Sequence, residues 1–95
     1  MARIVWSPDA RDDLKAIVSY IKADSPGYAK TFAWHIQQRL EQLRSFPESG
    51  RTVPEDETGF YRELLVGNYR VVYRVDQDTV TIVTIIHGAR LLRLQ

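Results

Sequence analysis

Cysteine is absent from the 95 residues, so the chain can form neither a disulfide nor a thiolate metal site, and a reducing compartment suits it. Lysine is scarce: Lys15, Lys22 and Lys30 all precede residue 31, and every Lys-or-Arg position beyond them is arginine. No apolar run approaches the roughly 20 residues of a membrane span. The opening "MARIVWSPDARDD" lacks the long apolar stretch of a signal peptide. The cytoplasm is therefore the expected location, and no membrane partner is expected. A net charge of +1 excludes a general polyanion binder, because non-specific nucleic-acid affinity rests on several phosphate contacts. His35 and His87 are separated and lack a carboxylate cluster, so no metal site is expected. There is no phosphate-cradling glycine loop and no arguable serine or cysteine nucleophile, and no cofactor is implied.

What is present reads as one domain, residues 1–95, of α+β class. "RIVW" at 3–6 is a short β-branched run, the first strand. Ser7 and Pro8 then open a helix, with Asp9, Asp12 and Asp13 near its positive end. Ala10, Leu14, Ile17, Val18 and Ile21 give it one apolar stripe and predict its end near Ala23. Ser25 and Pro26 repeat the opening pattern, with a stripe of Ala29, Phe32, Ala33, Ile36, Leu40 and Leu43. Pro47 and Gly50 punctuate the end. Trp34 falls off the stripe, as an aromatic half-covered by neighbours or as a partner contact. His35 lies on the polar side and should be solvated.

Residues 51–59, "RTVPEDETG", read as a polar surface loop. Beyond it, "FYRELLV", "YRVVYRV" and "TVTIVTIIH" are β-branched and aromatic-rich, three strands joined by turns at Gly67–Asn68 and at 76–78. The expected order is β-α-α-β-β-β. A helical hairpin covers one face of a small, mostly antiparallel four-stranded sheet, and the first strand pairs in parallel with the last.

A two-residue turn at Gly67–Asn68 fixes which side chains share a face. Arg62, Leu64, Val66, Tyr69, Val71, Tyr73 and Val75 should lie under the helices. Tyr61, Glu63, Leu65, Arg70, Val72 and Arg74 should stand on the open side. There Glu63 is diagonal to both arginines, and Tyr61 faces Arg74 within stacking reach. Such a face is either a solvated ion cluster or an anion- or partner-binding surface. Gly88 turns the chain after the last strand, and Arg90 follows where it can swing over the open face. His87 at the strand end is scaffold or proton carrier. The tail "LLRLQ" is apolar enough to pack on its own sheet or on a second protein.

The ordered set "SPDARDDLKAIVSYI", "FPESGR", "YRELLVGNYRVVYRV" and "VTIVTIIHGAR" resembles the RelE/ParE superfamily of bacterial toxins over nearly the whole chain. The resemblance implies a type II toxin neutralised by a cognate antitoxin that wraps a helical and extended segment over it. It implies assembly as a homodimer or an even-numbered toxin–antitoxin complex. The RelE-like branch cleaves messenger RNA on the ribosome. Its arginines match Arg70 and Arg90, but its lysines fall on Tyr61 and Glu63, and no tyrosine follows Tyr73. On that reading Arg70 and Arg90 would hold the phosphate, and Glu63 or His87 would move protons. "RELLVGNYRVVYRV" with "HGAR" is more similar to the ParE-like branch, which implies a non-catalytic inhibitor of DNA gyrase. The expected partner-binding residues are then Tyr61, Glu63, Arg70, Arg74, Arg90 and Trp34. The alternatives are an RNA-cleaving toxin or an inactive member.

Overall fold

Ser7 sets the architecture at the start of the chain. Its hydroxyl oxygen accepts from the Ala10 N–H at 3.1 Å and its O–H donates to the Val83 carbonyl at 2.9 Å, so one side chain both caps a helix and ties it to a distant strand. The computed structural model describes residues 1–93. Along it run β1 (Arg3–Trp6), α1 (Pro8–Asp24), α2 (Pro26–Ser45), β2 (Arg51–Thr52), β3 (Tyr61–Val66), β4 (Tyr69–Asp76) and β5 (Thr79–His87). Among the described residues, no helix is long and apolar enough to cross a membrane.

Ser25 departs from the expected capping: its side chain makes no cap hydrogen bond. Its backbone serves both helices instead. The Ser25 N–H donates to Ile21 O at 2.8 Å to close α1, and its carbonyl accepts from the Ala29 N–H at 3.0 Å to open α2. A single residue between two helices has its backbone fixed by both, which leaves little freedom for a side-chain cap.

The sheet order is β1-β5-β4-β3-β2, with β1 and β5 parallel and the rest antiparallel. The expected four strands become five. Arg51 and Thr52 pair with Glu63 and Arg62, and the Val53 N–H donates to Tyr61 O at 3.0 Å, so the start of the expected loop is an edge strand. The hairpin register is the expected one, from Val66 opposite Tyr69 to Tyr61 opposite Arg74. Gly67 takes φ +57 at the first turn position, the backbone that a tight two-residue turn requires.

The helices cover one sheet face. Phe32, Ile36, Leu40 and Leu43 of α2 and Ala10 of α1 join Leu64, Val66, Val71, Tyr73, Val80, Ile82 and Ile85 in one buried cluster. The buried Tyr73 hydroxyl accepts from the Gly50 N–H at 2.9 Å, and burial pushes its phenol pKa up. A Cβ on Gly50 would lie 2.6 Å from that hydroxyl, so the chain comes too close here for any side chain.

The β4–β5 register shifts between Val72 and Tyr73. Ile82 and Ile85, three apart, therefore both reach the core. The N-terminal half of α1 secures the irregular backbone there. Ser7 binds the Val83 carbonyl, while one Asp13 carboxylate oxygen accepts from Thr84 Oγ1 at 2.6 Å and from the Ile85 N–H at 3.0 Å.

Candidate functional site

Alternation along β3 and β4 sends Glu63 and Arg70 away from the helices, as expected. The expectation that this face is open is corrected: Arg70 is 4% exposed, Glu63 1% and Val72 0%. Two segments lie over this end of the sheet, the chain after β2, carrying buried Val53 and half-buried Glu55, and the chain after β5. A guanidinium and two carboxylates under such a cover must satisfy one another, because an unpaired charge out of water is costly.

They do so through a four-residue network. Arg70 donates from Nε to Glu63 Oε1 at 2.7 Å. Its Nη1 and Nη2 grip Glu55 side-on, at 2.7 Å to Oε2 and 2.6 Å to Oε1. Nη1 also donates to the Arg90 carbonyl at 3.1 Å. These bonds occupy four of the five N–H donors of a guanidinium. The second oxygen of Glu63 accepts from Arg51 Nε and Nη2, both at 2.6 Å. The Leu92 N–H donates to Glu55 Oε2 at 2.8 Å. The Arg70 guanidinium, with the Leu92 N–H beside it, holds the Glu55 carboxyl down at about 2 from its ordinary 4.5. The two carboxylates in turn push the Arg70 pKa up. Two arginines and two glutamates cancel in charge, so the cluster presents no net positive field to a phosphate.

The other expected site residues are not gathered here. Arg90 joins the cluster only through its backbone carbonyl, and its residue is exposed. Arg74 is half-buried on the same face and makes no ion pair among the described residues, so Glu63 serves Arg70 and Arg51 rather than both strand arginines. Tyr61 lies opposite Arg74, but its ring meets Phe60 edge-on at 5.1 Å. His87 is exposed, its Nδ1 accepts from the Ala89 N–H at 3.1 Å, and its ring lies 5.5 Å from Tyr69. With Arg70 and Arg51 it lines a shallow cavity of about 290 Å³. Trp34 is 57% exposed on α2, its ring 5.3 Å from that of His35, on the helical side of the sheet. Of the tail, Leu91 is exposed and Leu92 half-buried, while Leu94 and Gln95 lie outside the described residues. Arg51 and Glu55 are the members that sequence reasoning missed. Both sit in the stretch read as loop, where the signal was Val53, a lone β-branched residue among polar ones.

Comparison with known proteins identifies the family and the fold. Residues 4–92 match the family model described as the ParE toxin of the type II toxin–antitoxin system parDE. The chain is 39% identical over 92 residues to a Caulobacter vibrioides protein named Toxin RelE2, which spans 96% of this chain and 100% of that protein. Among solved structures it is similar to the chromosomal ParDE system of P. aeruginosa, with TM-score 0.76, 22% identity and coverage of 92% of this chain and 96% of that one. It is also similar to the RelBE2 toxin–antitoxin complex of Mycobacterium tuberculosis, with TM-score 0.59, 24% identity and coverage of 90% and 96%. At these identities the structural likeness is one of fold.

Proposed function

The chain belongs to the ParE toxin family of type II toxin–antitoxin systems, within the RelE/ParE superfamily, and on that premise we propose that it is a non-catalytic toxin directed at DNA gyrase and neutralised by a cognate antitoxin. The observation that carries this reading is the occupied state of Arg70. Cleavage by an RNA 2′-hydroxyl needs positive charge on the phosphate, a proton acceptor and a proton donor. Arg70, the one buried arginine among the described residues, already spends four of its five donors on Glu55, Glu63 and the Arg90 carbonyl. A phosphate placed there would meet two carboxylates, one of them held ionised by Arg70. His87 stands in the same shallow cavity, but no carboxylate and no second imidazole is among the residues that line it.

The accessible cations and aromatics suit protein contacts instead: Arg90 and Trp34 are exposed and Arg74 is half-buried. Arg74, Arg90 and Trp34 are the partner-binding positions this reading assigns, together with Tyr61 at the rim. Arg70 and Glu63 serve indirectly, on the sheet face opposite the helices, where Arg70 holds the Arg90 backbone. The antitoxin is the partner implied by membership of a toxin–antitoxin family.

The test uses purified toxin in two parallel assays. Inhibition of gyrase supercoiling with ribosome-bound messages left intact is the expected result. Cleaved messages with normal supercoiling would replace this reading with the RNA-cleaving one, and Arg70→Ala with Arg90→Ala should then abolish cleavage.

A further inference from the structure

The chain after β5 is held in place at several points although it belongs to no helix or strand. The Gly88 N–H donates to Asn68 O at 2.7 Å and the Arg90 N–H to His87 O at 3.0 Å. The Arg90 carbonyl then accepts from Arg70, and the Leu92 N–H donates to Glu55. The last two bonds clamp the backbone on either side of Leu91, which is nevertheless 84% exposed. Fixing backbone costs conformational entropy, and an ordinary tail avoids that cost by staying loose. Here a buried ion network fixes a leucine outward, with Arg90 and Arg93 exposed beside it.

Residues 90–93 also form one wall of a groove of about 700 Å³ whose other wall is Val83, Thr84 and Ile86 of β5, with Asp9 at its edge. Its lining is mixed: Val83, Ile86, Leu91 and Leu92 supply apolar surface, beside two arginines, one threonine and one aspartate. A phosphate backbone would match the arginines but leave Leu91, Val83 and Ile86 without a counterpart. A protein surface with an apolar pocket rimmed by carboxylates matches both.

We propose that Arg90, Leu91 and Arg93 form a pre-organised tip that docks into an acidic, apolar pocket of the protein target, and that Glu55 is the positioning residue that fixes the tip through Leu92 and Arg70. Pre-organisation removes an ordering cost at the moment of binding, so the clamp serves affinity rather than only stability. The proposal deepens the reading of the chain as a toxin with a protein target, and it stands whether or not that target is gyrase.

The test combines growth arrest on expression with inhibition of purified gyrase. Leu91→Asp should weaken both by about tenfold or more, the effect of losing a central anchor, with the unfolding midpoint unchanged. Glu55→Gln should weaken them by a smaller factor and speed tryptic cleavage after Arg90 and Arg93, a local change that global stability does not report. Adding Leu91→Asp to Glu55→Gln should cost less than the product of the two, because both act on one contact. Tyr20→Asp, at an exposed position of α1, is the control and should change neither readout. Arrest by Leu91→Asp at wild-type strength overturns the tip. Activity that survives Leu91→Asp but is lost in Arg90→Ala with Arg93→Ala, and is read as message cleavage, overturns the protein partner in favour of RNA. Wild-type arrest that depends on Leu91 without gyrase inhibition removes gyrase and keeps the tip. A wild-type chain that neither arrests growth nor inhibits gyrase overturns both.

Discussion

The two faces of the central sheet solve the same problem with opposite chemistry. On the helical face, Leu64, Val66, Val71 and Tyr73 meet Phe32, Ile36, Leu40 and Leu43, and apolar burial supplies the stabilisation. On the other face, Glu63 and Arg70 alternate with those same residues and are as deeply buried, yet their cover is a thin layer of irregular chain tied on by charge. An apolar face tolerates any partner of suitable shape. A charged face under cover demands a specific set of partners in a specific geometry. The difference explains why the first face supports the fold and the second is suited to holding a functional segment in place.

Deleting one core side chain measures the strength of the helical face. Phe32→Ala should destabilise by about 3–5 kcal/mol, read from urea unfolding, because its ring is buried and packs edge-on at 5.2 Å against Tyr69. The matching deletion on the charged face is Arg70→Ala. It leaves Glu55 without its guanidinium partner and Glu63 with Arg51 alone, and it should cost about 3 kcal/mol. If Arg70→Ala were neutral, the contrast would collapse, because the network would then be surface decoration.

A pH titration separates the faces next. The Glu55 carboxyl is lowered to about 2 in the folded chain from 4.5. Its contribution is fully present above the unfolded value and is lost as pH falls through the folded one. Stability should therefore decline between about pH 5 and pH 2, by on the order of 1–3 kcal/mol from this group. In Glu55→Gln that part of the decline should disappear. The buried apolar cluster that Phe32 belongs to contains no carboxylate among the described residues, so a Phe32→Ala variant should keep the wild-type pH dependence from a lower starting value.

These faces also differed in how far the sequence disclosed them. The helical face was legible because its signals are local and periodic. The stripe from Ala29 to Leu43, the Ser7–Pro8 opening and the Gly67–Asn68 turn each state their geometry within a few residues. The register they fix put Arg70 and Glu63 on the correct side. Their burial was not legible, because it depends on Glu55, which is fifteen positions from Arg70 and embedded in "RTVPEDETG". Polarity there suggested solvent, yet each charge is either paired or turned outward. The Asp56 carboxyl, for example, is lowered by the Thr58 hydroxyl and the Tyr61 N–H, which make it a local cap that folds the segment back toward β3. The shift in β5 was hidden for another reason. In "TVTIVTIIH" nearly every residue suits a strand interior, so alternation cannot say where one residue is extra.

The smallest expected effect sharpens the comparison most. Arg74 stands on the same face as Arg70, four residues along the same strand, in the same residue type. Sequence alone treats the pair alike, but only Arg70 has carboxylates beneath a cover. Arg74→Ala should change stability by less than about 1 kcal/mol in urea unfolding, as expected for a half-buried side chain that makes no ion pair among the described residues. Any effect it has on growth arrest would then report contact with a partner rather than damage to the scaffold. A cost near that of Arg70→Ala would instead mean that the charged face is one extended unit reaching to the far end of β4. That face would then have no division into a buried base and a more accessible rim.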